Sequence, residues 1–414
     1  MSSFYTKVSV IIILFILMSS CNNDDLPVTV EDVKTAECVN GRAGNYPCNG
    51  YDLKYRMSLT ELGFKGATGN DCWGWVDPSN NNEYAIIGTT AGTSFVNITD
   101  PENPVLVGKL PTQTFSSPWR DLKVYKNHVF IVADRSSRSN INEHGIQIFD
   151  LTKLKEVTNP PQTFSADKVF DEITSAHNIV INEEMGYAYV TGTLRDDKYR
   201  GGITFVNISN PENPEGAGGY ADDGYSHDGQ VVTYTGPDTD YTGKEIFIGS
   251  NENEVTIVDV TYKAAPKRIS KLSYPNFRYA HQGWFTEDQK YFLLGDELDE
   301  GSLGFNTRTI IFDLTDLDDP KVHTEYLGPT SAIDHNGYVK GNSFFQASYT
   351  AGFREIDISD IENKNLNEVA FFDTYPETNS AKFNGAWSVY PYFPSGNIII
   401  SDIDRGLFII SRKK

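Results

Sequence analysis

Four of the seven histidines stand in one recurring local phrase. "AHNIVIN" begins at Ala176, "SHDGQVV" at Ser226, "AHQGWFT" at Ala280 and "DHNGYVK" at Asp334. Each sets a histidine directly before a polar residue and then an apolar or aromatic run. Imidazole is the commonest side-chain metal ligand and a ready general base. If His177, His227, His281 and His335 converge, they suit a metal such as zinc, copper or iron, with Asp228, Asp334 or Asp296 as further ligands or orienting groups. The same polar ring also suits an organic ligand. A structural role fits as well: each histidine could bond backbone or a neighbouring Asp and pin the loop of its own repeat, as the Gly-His histidine does in WD repeats.

The elements that would position these side chains form a repeat. Apolar runs ending in Asp or Asn recur as "SFVNITDPENP" from Ser94, "IQIFDLT" from Ile146, "ITFVNISNPENP" from Ile203 and "VTIVDVTYKAAP" from Val255. They continue with "TIIFDLTDLDDP" from Thr309, "FREIDISDIEN" from Phe353 and "GLFIISRKK" from Gly406. Their spacing of roughly 44 to 57 residues is that of β-propeller blades. A second strand series runs from "EYAIIGT" at Glu83 to "NIIISDI" at Asn397, the histidine phrases open the strand before it, and a fourth strand follows each proline turn. The seventh copy ends at Lys414 without a fourth strand, which would leave an open edge. "LKYRMSLTELG", Leu53 to Gly63, is expected to supply it. The fold expected is all-β: one seven-bladed propeller of four-stranded blades, its ring closed by an N-terminal strand.

With strands named A to D outward from the axis, antiparallel pairing puts the start of A, the end of B and the start of C on one face. The four histidines then ring one mouth of the central channel. Blade one would add Cys72 and Trp73, blade two Trp119, Arg120 and Asp121, and blade seven Phe383 and Asn384. Strand-B ends bring Asp134, Asn251, Asp296, Glu297 and Asp402, while His144, Arg200 and Arg405 precede strand C. Asp296 and Glu297 are the candidate catalytic carboxylates of a metal-dependent site. A groove beside Trp73, Trp75, Trp119 and Trp284 would point to glycan binding. The oxygen-rich loops "GPDTDYTGKE" and "DPSNNNE" could hold calcium but lack the EF-hand pattern and read as polar turns. Neither a Gly-x-Ser-x-Gly elbow nor a phosphate loop nor a zincin helix occurs.

Composition supports the strand reading and narrows the partners. Tyr and Phe are abundant and only four methionines occur. The net charge of −21 repels a phosphate backbone, which argues against nucleic acid. Lys7, the apolar run "VSVIIILFILM" and "LMSSC" ending at Cys21 read as a signal segment with a lipobox. Cys21 would be acylated, giving membrane attachment through lipid alone. Residues 1–20 are then signal peptide, 21–50 tether and cap, and 51–414 propeller. In an oxidising compartment Cys38 and Cys48 are the candidate disulfide, with Cys72 left over.

Seven phrases together, "NDCWGWVDP", "WRDLKVY", "SAHNIVINEEMGYAYV", "GYSHDGQVVTYTGPD", "YAHQGWFTEDQKYFLLGDELDE", "DHNGYVKGN" and "FNGAWSVYPYFPSG", resemble the bacterial choice-of-anchor B family, built of LVIVD repeats like "VTIVDV". The resemblance covers nearly everything from Cys38 onward. It implies a secreted or surface-attached propeller, on the cell surface or outer membrane, and no particular activity. The chain departs from the family pattern after the "HDGQ" histidine, reading "QVV" where a cysteine is expected. The leading functional expectation is a surface lipoprotein binding an extracellular protein or glycan at the histidine-lined mouth. The alternative is a metal-dependent extracellular hydrolase or lyase using the same cluster.

Overall fold

The computed structural model describes residues 33–114, 116–134 and 144–413; Cys21 and the segment around it lie outside them. Seven antiparallel sheets follow one another along the chain and form a β-propeller. Blade three is typical, with strands Asn178–Asn182, Tyr187–Thr191, Ile203–Asn207 and Glu215–Tyr220 paired in chain order. The Asp/Asn-ended runs are strand C of every blade, as the repeat predicts.

These runs are apolar on both faces because each blade is covered on both sides. Alternation along Val255–Asp259 sends Val255 and Ile257 into the core shared with blade five, and Val258 into the core shared with blade three. Apolar clusters fill each junction between neighbouring blades. Burying a side chain such as Phe247 completely contributes about 1.5–3 kcal/mol.

The ring closes as expected. Tyr51–Met57 pairs antiparallel with Gly406–Arg412 and becomes the outer strand of blade seven. Two additions at the rim are not evident in the repeat. Hairpin strands Arg42–Ala43 and Tyr46–Asn49 extend blade six beyond its fourth strand, Asn365–Phe372. The Cys38–Cys48 disulfide ties that hairpin down. In blade two the chain leaves strand C and lays Gln162–Thr163 parallel to blade one's outer strand before returning.

Candidate functional site

The histidines reach the channel through the way strand A begins. His281 is the extra residue of a β-bulge, because pairing with strand B skips from Ala280 to Gln282. Trp387 occupies the same bulged place in blade seven. A bulge re-aims one side chain without disturbing the ladder beyond it. The glycine two residues after three of the histidines has a separate task. A Cβ on Gly229, Gly283 or Gly337 would come within 2.3–2.4 Å of the strand-B rings of Phe247, Phe292 and Phe344. Only glycine lets those rings lie across strand A.

The rings of His177, His227, His281 and His335 form a continuous ladder, with centroids 4.1, 4.6 and 4.4 Å apart in that order. His227 Nδ1 lies 3.3 Å from the carbonyl of His281, and His335 Nδ1 lies 2.6 Å from that of Trp387. These two rings tie blade four to blade five and blade six to blade seven, each at the same position of the next blade. His177 Nδ1 meets Asp134 Oδ2 at 3.3 Å. Burial holds His227 well below its ordinary pKa and brings His281 and His335 down to about 3, so all three are neutral imidazoles.

Glu297, at the end of blade five's strand B, faces two of these rings. Its Oε1 lies 3.8 Å from His281 Nε2 and 3.6 Å from His335 Nε2. The Tyr349 hydroxyl donates to the same oxygen at 2.8 Å. The other expected carboxylates lie outside the group formed by His281, His335 and Glu297 among the described residues. Asp296 accepts from Tyr274 Oη and from the backbone amides of Arg278, Tyr279 and Leu298, so it anchors a loop and has no lone pair free for a base's work. Asp334 accepts from Gln346 Nε2. Asp228 belongs to a polar plug within the channel.

That plug is built around Lys123. Its ammonium donates to Asp121 Oδ1 at 2.7 Å and Asp71 Oδ2 at 3.3 Å. Asn178 Nδ2 then bridges the second oxygen of Asp121 to Asp228, 2.8 Å from each. Burial pushes the Asp121 carboxyl well up and that of Asp228 up to about 7. Between plug and histidines remains a cavity of about 10 Å³, lined by Trp119, Arg120, His177, His281, His335 and Trp387 among others. That volume holds about one water molecule. Among the described residues, this cavity has no room for an organic ligand.

Other expected mouth residues are placed differently. His144 Nε2 accepts from Arg120 Nη1 at 3.0 Å, which puts its proton on Nδ1 toward the Gly145 carbonyl; burial and Arg120 hold it down to about 3. This pair is a buried fastener. Asp402 caps the turn before strand C by accepting from the amides of Asp404 and Arg405. Arg405 reaches the Thr374 carbonyl and Glu377, and Asn384 donates to Asp404. Arg200 is exposed on a surface loop with φ of 58°. In blade one the bulge falls at Asn70 and Asp71, so they, not Cys72 and Trp73, join the column; Cys72 is a buried free thiol. In blade seven Trp387 takes the place expected of Phe383 and Asn384. A one-residue shift in strand A exchanges channel for core, and the repeat pattern does not mark bulges. The "GPDTDYTGKE" loop brings Asp238 near Asp316 and Asp318, and its Oδ2 accepts from the Leu317 amide.

The larger opening lies at the opposite mouth, where strands A end. A pocket of about 490 Å³ is lined by Trp73, Trp284, Tyr390 and Tyr392, with Glu183, Glu287, Gln230 and Gln289 among its polar groups. Trp73 packs edge-on to Tyr390 at 5.1 Å and Trp284 to Tyr338 at 4.9 Å. The Lys123 ammonium sits 4.7 Å from the Trp73 ring centroid and forms the pocket's floor toward the plug. Of the four tryptophans expected to share a groove, only Trp73 and Trp284 meet here. Trp119 lines the histidine side and Trp75 is buried, with Nε1 3.3 Å from Asn127 Oδ1. The signal for this site was the aromatic residue near the end of strand A, as in "AHQGWFT" and "VYPYF".

Fold and geometry define a β-propeller with two unlike mouths, one closed by imidazoles and one open and aromatic. No family profile matches the sequence, and no curated protein matches it. Among solved structures it is similar to the β-propeller domain of Myceliophteria thermophila Cps50 (Swd1), at 8% identity and TM-score 0.54, covering 89% of this chain and 100% of that one. It is also similar to Kuenenia stuttgartiensis hydrazine synthase, at 12% identity and TM-score 0.56 over 82% of this chain and 95% of that one. A Lactobacillus plantarum protein matches at 11% identity and TM-score 0.50, over 81% and 88%. At these identities the likeness shows the fold alone.

Proposed function

We propose that this chain is a bacterial surface lipoprotein of the choice-of-anchor B type, acylated at Cys21, whose propeller binds carbohydrate at the aromatic mouth. The observation that carries the reading is the 490 Å³ pocket with Trp and Tyr rings on its walls and carboxylate and amide groups beside them. Its volume falls within the range of about 300–1,000 Å³ usual for small-ligand sites. Sugar rings present C–H faces to aromatic side chains and hydroxyls to carboxylates and amides, and this lining offers both. A protein partner would want a broader, flatter surface than this concavity. The anchor rests on the signal-like first twenty residues and the cysteine that follows.

The test is a glycan array probed with the purified full chain, followed by calorimetry on any hit. Trp284→Ala is expected to weaken binding at least tenfold, and Glu183→Gln, at the pocket wall, to weaken it without lowering the unfolding midpoint. Absence of any bound carbohydrate would remove this reading. A metal-dependent hydrolase or lyase is the second reading, favoured by the approach of His281 and His335 to Glu297. Its weakness is access: His281 is 2% and His335 5% exposed, so a substrate has little way to reach a metal held between them.

A further inference from the structure

The histidine mouth carries an inference independent of what the aromatic mouth binds. Two imidazole nitrogens and one carboxylate oxygen, those of His281, His335 and Glu297, lie within 4.8 Å of one another. They come from two neighbouring blades. The bulge before Gln282 aims His281, the start of blade six aims His335, and the end of blade five's strand B supplies Glu297.

Hydrogen bonding settles what His335 presents to that point. Its Nδ1 lies 2.6 Å from the Trp387 carbonyl, which can only accept, so the Nδ1 proton is donated there. Its Nε2 is then the nitrogen turned to the carboxylate oxygen, at 3.6 Å, as in a histidine ligand oriented through its other nitrogen. His281 presents its Nε2 to the same oxygen at 3.8 Å, and its buried Nδ1 has no hydrogen-bond partner among the described residues. Two imidazole nitrogens and a carboxylate oxygen turned to one buried point are a donor set for a positive charge. We propose that this charge is a divalent first-row transition metal, zinc being the probe of choice, bound by His281 Nε2, His335 Nε2 and Glu297.

The spacing fits. Zn–N and Zn–O bonds are about 2.0–2.2 Å, so ligand atoms on one ion stand at most roughly 4 Å apart. Both histidine–carboxylate distances already fall under that limit. The supporting shell is also in place: the Trp387 carbonyl fixes the ring of His335, and the Tyr349 hydroxyl fixes Glu297 from 2.8 Å. His177 and His227 are not ligands. Among the described residues, only His281, His335 and Glu297 bring ligand atoms within 4.8 Å of one another at this mouth. Two histidines and one carboxylate leave further coordination positions for water, as at an open site. With so little space around the rings, the ion's role is to clamp blade five to blade six.

The experiment is titration of Zn²⁺ into the chelator-treated full chain at neutral pH against a chromophoric competitor, and Co²⁺ substitution followed by visible absorption. About one equivalent of Zn²⁺ is expected, with a tetrahedral or five-coordinate Co²⁺ spectrum. Glu297→Gln should cost at least tenfold in affinity and His335→Ala should abolish binding. His323→Ala, on the outer strand of blade five, should leave it unchanged. Because His335→Ala also removes the tie to Trp387, Glu297→Gln is the deciding variant, and its fold is checked by its unfolding midpoint. Binding that is absent from the parent, or equally tight in a folded Glu297→Gln variant, overturns the proposal. Neither result bears on carbohydrate binding at the other mouth.

Discussion

Lys123 and Asp121 form an ion pair at 2.7 Å with both side chains more than nine-tenths buried, in the middle of the propeller's channel. Asp71 lies on the other side of the same ammonium, and Asp228 beyond it through Asn178. Burial alone would lower the Lys123 pKa, but Asp121 and Asp71 outweigh it and push it up. The pair separates two mouths that differ in size and chemistry.

Removing the cation leaves buried carboxylates facing one another. Lys123→Met is expected to destabilise by about 3–5 kcal/mol, the usual cost of breaking a buried pair from one side. Lys123→Met combined with Asp121→Asn should recover part of that loss. Urea midpoints for the parent and the two variants check it; an unchanged midpoint in the single variant would mean the plug is dispensable.

The pH dependence has a definite sign at Asp228. Its folded pKa of about 7 lies above the ordinary aspartate value, so the native state binds the extra proton between the two. Stability contributed there is full below about pH 4 and is lost as pH rises through 7. Asp228→Asn removes this dependence. The variant should therefore gain on the parent from pH 5 to pH 8, by at most about 4 kcal/mol. His281 and His335 act in the opposite sense. Folded values near 3 against about 6.5 unfolded mean that their contribution is present above pH 6.5 and lost as pH falls toward 3. Denaturation curves of parent and Asp228→Asn across this range separate the two.

Gly283→Ala places a methyl carbon 2.4 Å from the Phe292 ring. Overpacking of this kind costs about 1–3 kcal/mol. Gly337→Ala should behave alike, since the Phe344 ring is 2.3 Å from its missing Cβ. Gly301→Ala, which meets nothing within 4 Å, is the control. Thermal unfolding of the three variants orders them.

The closing strand gives a sharper loss. Deleting 51–57 exposes the edge of Gly406–Arg412, which Tyr51–Met57 otherwise covers, and removes the Tyr51 hydroxyl's bond to Glu355 at 2.6 Å. An uncovered edge strand is a template for association. Size-exclusion chromatography should show larger species or aggregate in place of the parent's peak.

Blade number, strand order and ring closure were legible because each blade repeats one alternation. Runs such as "VTIVDV" must bury both faces, and "LKYRMSLTELG" was the segment available to cover the last edge. The histidine positions at the start of strand A followed from the same register, and their rings do form one ladder. Which carboxylates join them did not follow. Asp296 and Glu297 are adjacent in sequence, yet one is consumed by backbone amides and the other faces His281 and His335, a choice made by the loop's path. Bulges likewise moved Asn70, Asp71 and Trp387 into the column in place of the residues expected there, since a one-residue shift is invisible to a period-2 pattern. The size of each mouth is decided only in three dimensions. Trp73, Trp284, Tyr390 and Tyr392 come from blades one, five and seven, and only closure of the ring brings their faces to one pocket. Local periodicity determined the strands and the ring; distances between side chains remote in sequence required the folded chain.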